Sequence, residues 1–83
     1  MTTIQIDLPD EISLSLKEAP VELEREIRMA AAAKLYELGK LSSGRAAQLA
    51  NVTRVSFLQA LGRYGVAILD LAREDLAEDL KNA

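Results

Sequence analysis

The sequence predicts a mainly α-helical fold: one helix-turn-helix domain with a short β-strand at its N-terminus. Apolar residues recur at three- and four-residue steps through most of the 83 residues, which is typical of amphipathic helices. Between residues 42 and 62, two short helical patterns are separated by only three residues, as in a helix-turn-helix. A chain this short forms a single domain with a small core and often gains stability by association, so we expect a homodimer.

The N-terminal segment, residues 1–9, alternates apolar and polar side chains and ends at Pro9, which predicts a half-buried strand. A lone strand needs a partner, and the only other strand-like run is 66–69. We therefore expect these two segments to pair, within one chain or across a dimer. A ribbon-helix-helix arrangement, with the strand in a DNA groove, is disfavoured because Asp7 would face phosphates.

A long helix is predicted over residues 20–39, after a short helix within 10–17. Pro20 suits the first helical position, and the acidic residues that follow favour the positive end of the helix dipole. Gly39 stands where helices commonly end in a left-handed residue. The expected buried face consists of Leu23, Ile27, Ala30, Ala31, Leu35 and Leu38.

The helix-turn-helix is predicted over residues 42–62. Either Ser42 or Ser43 caps the first helix. Asn51 opens the turn and tolerates a positive φ. Thr53 is a good N-cap for the second helix, which we expect to end before Gly62.

The charge distribution favours an anionic partner for the middle of the chain. Residues 1–26 carry seven acidic and two basic side chains, whereas residues 27–66 carry six basic and one acidic. Residues 67–83 return to five acidic and two basic. The positive charge therefore lies in the segment that is predicted to form the helix-turn-helix, although the net charge is −3.

Composition argues against several classes of protein. The chain contains neither histidine nor cysteine, so it lacks the usual general base, the commonest metal ligand and any thiolate. Its acidic pairs are adjacent in sequence, and a helix points such neighbours apart. We expect no enzyme activity, metal or cofactor. With no leader pattern and no apolar run of about 18 residues, we also expect a cytoplasmic protein that does not cross a membrane.

The exposed residues at the start of a second helix reach base edges in proteins of the helix-turn-helix class. Arginine pairs with guanine, glutamine with adenine, and a small apolar side chain can contact the thymine methyl group. The predicted base-contacting residues are Thr53, Arg54, Val55, Ser56 and Gln59. The predicted phosphate contacts are Lys40, Arg45, Thr53 and Arg63. The alternative is a helical hairpin whose charges are merely solvated.

The segment LYELGKLSSGRAAQLANVTRVSFLQALGRYGV and the acidic tail DLAREDLAEDL carry a resemblance to a known family. With the opening strand that ends in LPDE, they make the chain similar to UPF0175, a family of small prokaryotic proteins regarded as antitoxins of type II toxin–antitoxin pairs. The resemblance implies a helix-turn-helix that binds double-stranded DNA and a partner toxin, commonly a PIN-domain nuclease.

The tail, residues 70–83, is the predicted toxin-binding element. Its apolar residues and one arginine would enter a groove on the toxin as an amphipathic helix: Leu71, Arg73, Leu76 and Leu80. The alternative is a helix that packs on its own domain or on the dimer mate. The expected function is a dimeric antitoxin that represses its own promoter and neutralises the toxin by occlusion. The competing hypothesis is a protein-interaction adaptor that reads no DNA sequence.

Overall fold

The computed structural model describes residues 1–68 and is mainly helical over that range. Its elements, in chain order, are α1 (Asp10–Leu16), α2 (Pro20–Glu37), α3 (Ser43–Ala50), α4 (Arg54–Ala60) and a 3₁₀ helix (Leu61–Tyr64). The predicted tail over 70–83 lies outside the described residues, as does residue 69. The prediction of a small, mainly α fold is met, but the prediction of a strand is not.

Residues 1–9 do not form the predicted strand, and no strand occurs anywhere in residues 1–68. Ile4 and Ile6, which were expected to be half-buried, are exposed. The predicted partner run is used differently: Val66 is buried in the core, and its N–H donates to the Leu61 carbonyl at 3.1 Å. Because a strand needs a neighbouring backbone to satisfy its N–H and C=O groups, the alternating pattern alone does not form one.

Helix α2 begins and ends on local signals. Pro20 occupies the start of the helix, with Glu22 in the first turn. At the other end, Gly39 adopts φ +76°, its N–H donates to the Tyr36 carbonyl, and the Lys40 N–H donates to the Leu35 carbonyl at 2.9 Å. These two bonds form a Schellman motif, which closes the helix two residues before the predicted limit.

The two short helices α3 and α4 are each capped by a side chain at the N-terminus. Ser42 Oγ accepts from the Arg45 N–H at 3.3 Å, so Ser42 is the cap of α3, and Thr53 Oγ1 accepts from the Ser56 N–H at 3.1 Å. Between the helices, Asn51 adopts the predicted left-handed conformation, with φ 60° and ψ 42°. The caps thus limit the connection to residues 51–53.

Helix α4 ends at Ala60, so the predicted stop before Gly62 is confirmed, although the backbone does not become extended there. The chain continues from α4 into the 3₁₀ helix Leu61–Tyr64, and Gly65, at φ +67°, is the left-handed residue that ends it. The N–H groups of Gly65 and Val66 donate to the carbonyls of Gly62 and Leu61, which repeats the Schellman pattern.

The core lies where α2 packs on α3 and α4, and alanines dominate it. Six of its residues are alanines with at most 7% of their surface exposed: Ala32, Ala33, Ala46, Ala47, Ala50 and Ala60. Tyr36 and Phe57 fill the space between the helices, with ring centroids 5.6 Å apart and planes at 85°. This edge-to-face contact is the favoured geometry for an aromatic pair.

The predicted buried face of α2 is correct only in part. Leu23 is buried and Ile27 and Leu35 are half-buried, whereas Ala30, Ala31 and Leu38 are exposed. The most deeply buried residues of α2 are Ala32, Ala33 and Tyr36. A run of four consecutive alanines gives hydrophobicity no preferred side, so packing against α3 decides the face.

Candidate nucleic-acid interface

The start of α4 presents side chains whose positions are set by the Thr53 cap. Besides accepting from the Ser56 N–H, the Thr53 hydroxyl donates to Ser56 Oγ at 3.0 Å. Val55 is 63% exposed, and Ser56 and Gln59 are also exposed. The exposed side of α4 therefore offers an apolar side chain, hydroxyl groups and, one turn further on, the Gln59 amide to a partner surface.

Arg54 lies at the same turn but is half-buried. Its Nε donates to Ser43 Oγ at 2.7 Å, and Ser43 is fully buried. The contact joins the first residue of α4 to the first residue of α3. A charge-assisted hydrogen bond of this length holds the two N-termini together and orients α4 relative to α3.

A second arginine anchors α3 to the long helix. Arg28 Nε of α2 donates to the Leu49 carbonyl at 2.8 Å, in the last turn of α3. Nη1 of the same Arg28 side chain lies 3.4 Å from Glu24 Oε1. Sequence reasoning missed both bridging roles, those of Arg28 and Ser43, because each depends on how helices distant in sequence are placed.

The exposed face of α3 adds a charged and an amide side chain. Arg45 Nη1 donates to Gln48 Oε1 at 3.1 Å, and both residues are exposed. Lys40, in the loop before α3, is also exposed. In contrast, Lys34 of α2 is paired with Glu37 at 2.7 Å, so its charge is balanced locally.

Arg63 lies in a different setting from the other predicted phosphate contacts. Its guanidinium carbon is 6.0 Å from the Tyr64 ring centroid, and it lines a groove of about 570 Å³ between the N-terminal half of α2, the 51–53 turn and the 3₁₀ helix. Four glutamates line the same groove: Glu18, Glu22, Glu24 and Glu26. Acidic neighbours weaken the attraction that Arg63 can exert on a phosphate.

The pKa of Tyr64 is affected by the charged residues of this groove. Burial and the nearby Glu26 carboxylate raise the pKa of the Tyr64 hydroxyl above its ordinary value, and the Arg63 charge opposes this effect. The hydroxyl donates to Glu26 Oε1 at 3.4 Å. Glu26 disfavours a second negative charge beside it.

The structure thus brings most of the predicted DNA-contacting residues to α3, α4 and the loop before α3, with Arg63 in the groove. The predicted toxin-binding residues lie outside the described part of the chain: Leu71, Arg73, Leu76 and Leu80. Among residues 1–68, no cluster of three or more carboxylate side chains could hold a metal ion. No helix in that range is long and apolar enough to cross a membrane.

The fold defines a class: small helical proteins in which two short, capped helices are separated by a three-residue turn. The sequence model described as "Uncharacterised protein family (UPF0175)" matches residues 1–83, so the chain belongs to the UPF0175 family. A UPF0175 protein of Aeropyrum pernix is 38% identical over 80 residues, which span 96% of this chain and 84% of that protein. No solved structure matches the chain.

Proposed function

We propose that this protein is a dimeric, DNA-binding antitoxin whose α3–turn–α4 unit reads an operator near its own promoter. The observation that carries the proposal is the first turn of α4. Val55 and Ser56 are exposed there, Thr53 caps the turn, and Arg54 joins it to α3. A rigidly held helix start with hydroxyl, amide and apolar side chains is what base-edge recognition in the major groove requires.

The positions of the basic side chains also support contact with DNA through α3 and α4. Lys40 and Arg45 flank the N-terminus of α3, while the basic residues Arg28 and Lys34 of α2 are paired with carboxylates on α2. Phosphate contacts would therefore come from the loop before α3 and from α3 itself. Such contacts fix the register of a protein on the duplex and leave sequence reading to α4.

The test is a binding titration of the purified protein against the DNA upstream of its own gene and against a scrambled duplex, each at two salt concentrations. A preference for the native DNA that survives the higher salt supports a sequence-reading repressor. Equal binding to both duplexes that disappears with salt would reflect only counterion release, and would contradict the proposal.

Two lysines provide a matched pair for this titration. Replacing Lys40 with alanine should weaken binding about equally on both duplexes and reduce the salt slope by about one. Replacing Lys34 with alanine removes the same charge from α2, where Glu37 already balances it, and should leave binding unchanged. If the two variants bind DNA with the same affinity and salt dependence, Lys40 makes no phosphate contact that Lys34 does not also make.

The toxin side of the proposal concerns residues 70–83. Their leucines and acidic residues favour binding to a nuclease of the PIN-domain type by occlusion, with no chemistry at the antitoxin. Co-expression with a small nuclease from the neighbouring reading frame tests this. Leu76→Asp should abolish co-purification, whereas Lys34→Ala should not, and a nuclease that binds both variants equally would place its site elsewhere.

A protein-interaction adaptor is the second candidate, favoured by Arg54. Because its guanidinium is half-buried and bonded to Ser43, one of the predicted base-reading groups is already engaged within the domain. An adaptor would show no preferred DNA site in the titration above.

A further inference from the structure

The C-terminal end of α3 is attached to α2 by the Arg28 side chain. The Arg28 Nε–H donates to the Leu49 carbonyl at 2.8 Å in a partly buried bond, although the two residues are 21 positions apart in sequence. The final carbonyls of a helix lack donors within the helix. Those of Ala47 and Gln48 accept from N–H groups of the 51–53 turn, whereas that of Leu49 accepts from α2. A side chain of the long helix thus completes this end of α3.

This bond holds the end of α3 that the connecting backbone leaves loose. Residues 38–42 link α2 to α3, so the backbone fixes only the N-terminus of α3 beside α2. The buried residues of the two helices are largely alanines: Ala32, Ala33, Ala46, Ala47 and Ala50. Interlocking ridges of side chains set how two helices cross, and methyl groups form only shallow ridges. A directional hydrogen bond at the far end of α3 therefore adds an orientation that the packing alone defines weakly.

We propose that Arg28 is a positioning residue for DNA reading, which deepens and rests on the proposed function. By fixing the C-terminus of α3, it sets where α4 lies relative to Lys40 in the loop that follows α2. Helix α4 begins at Arg54, directly after the 51–53 turn, so a shift of the end of α3 also displaces the residues proposed to read bases. Recognition groups must be held within about 0.5 Å of their productive geometry, which makes this orientation matter for sequence preference.

Arg28 lies among acidic side chains, which disfavours a phosphate contact of its own. Its Nη1 is 3.4 Å from Glu24 Oε1, and the groove that it lines also contains Glu18, Glu22 and Glu26. These carboxylates repel a phosphate group. We therefore expect Arg28 to affect DNA binding through α3 and not by direct contact.

The bond between Arg54 and Ser43 has a different effect. It joins the N-terminal residues of α3 and α4, so it holds the two short helices together without fixing either of them to α2. Losing the Arg28 bond would instead let the α3–α4 pair rotate as a unit about the 38–42 connection. The phosphate-contacting loop and the base-reading helix would then no longer be held in one register.

Two neutral variants separate the hydrogen bond of Arg28 from its charge. In Arg28→Gln, the amide nitrogen occupies the same position along the side chain as Nε, so a donor to the Leu49 carbonyl is retained. Arg28→Met has a side chain of the same length but no donor. Arg25→Met is the matched control, because Arg25 also lies on α2 and pairs with Glu22 at 3.6 Å, but its side chain is 74% exposed.

The assay is a titration of the full chain against the upstream DNA and the scrambled duplex. Arg28→Met should lower the ratio of the two affinities about tenfold, which is the fold-change equivalent to one charge-assisted hydrogen bond, and should leave binding to the scrambled duplex unchanged. Arg28→Gln should keep the ratio within about threefold, because a neutral donor bonds less strongly. Arg25→Met should not change it. Circular dichroism should show that all three variants fold, since the Arg28 side chain is itself 41% exposed.

A second measurement uses the wild-type chain alone. In nuclear magnetic resonance spectra, the Arg28 Nε–H should exchange with water more slowly than the Arg25 Nε–H, because only the former is bonded to a partly buried carbonyl. Equal exchange rates for the two groups would overturn the inference, whether or not the methionine variant folds.

The outcomes of the titration distinguish this inference from the proposed function. An unchanged affinity ratio in Arg28→Met would overturn the inference and leave sequence reading intact. Equal weakening of the Gln and Met variants on both duplexes would also overturn it, because the charge of Arg28 would then be the cause. A wild-type protein with no preference for the upstream DNA would overturn the proposed function, and this inference with it.

Discussion

Replacing Arg54 with alanine tests two roles of one side chain: the contact with Ser43 that the structure shows, and the proposed contact with DNA. Arg54 braces α4 against α3 through Ser43, and it stands at the helix start that is proposed to read DNA. A hydrogen bond from a charged donor contributes about 1.5–3 kcal/mol, and the half-buried position of Arg54 favours the lower end, about 1.5 kcal/mol. For a domain of this size, such a loss should lower Tm by about 6–12 °C.

The DNA effect of Arg54→Ala should be separate and sequence-dependent. Losing a contact between the Arg54 guanidinium and guanine should cost about 1–3 kcal/mol of specific binding and relax the preference at one base position. The assays are urea unfolding for stability and a titration against a set of single-base operator variants for specificity.

Ser43→Ala is the matched control. It removes the acceptor of the brace and leaves the Arg54 guanidinium in place. It should destabilise the fold by a similar amount, yet keep the base preference. Equal weakening of Arg54→Ala on every operator variant would refute base reading and leave only a phosphate contact. Unchanged stability in both variants would refute the brace.

Three further predictions concern the turn, the core and the groove. Asn51→Ala should cost about 1–2 kcal/mol in urea unfolding, because alanine lacks asparagine's tolerance of φ 60°, whereas Asn51→Gly should not destabilise; equal losses would remove conformation as the cause. Phe57→Ala should cost about 3–5 kcal/mol in the same assay by emptying the space beside Tyr36, and a loss below about 1 kcal/mol would contradict the described packing. The raised pKa of Tyr64 stabilises the fold fully below its unfolded value near pH 10, and this contribution is lost as pH rises through the folded value. Thermal unfolding at about pH 9 and about pH 11 should therefore show a smaller alkaline loss for Tyr64→Phe than for the wild type, and identical losses would exclude the linkage.

The signals that predicted structure correctly are local ones. Pro20, Gly39, Asn51 and Thr53 act through their own backbone angles or through bonds to residues at most three positions away. Such features are visible in the sequence because no distant segment is needed to complete them.

The failures share a dependence on distant partners. The alternation in residues 1–9 predicted a strand, but the described chain provides no backbone beside it. The predicted face of α2 combined leucines with Ile27, Ala30 and Ala31 and left out Tyr36, yet Tyr36 is buried because Phe57 lies against it. For the same reason, sequence identified Arg54 as a candidate contact without showing that Ser43, eleven residues earlier, already binds it.

Because the contact between α2 and α3 is made of alanines, the protein should tolerate smaller residues there better than larger ones. At Ala32, Ala33, Ala46 and Ala47, almost no side-chain volume can be lost, so mutation to a smaller residue creates no sizeable void. Any larger residue must push the helices apart, at a typical cost of about 1–3 kcal/mol. Neutral drift at these positions is therefore confined to the smallest residues, because all four alanines are buried within the chain. In a mutational scan, we therefore expect the strongest constraint at this helix crossing and weaker constraint at the exposed residues of α4 that are proposed to contact DNA.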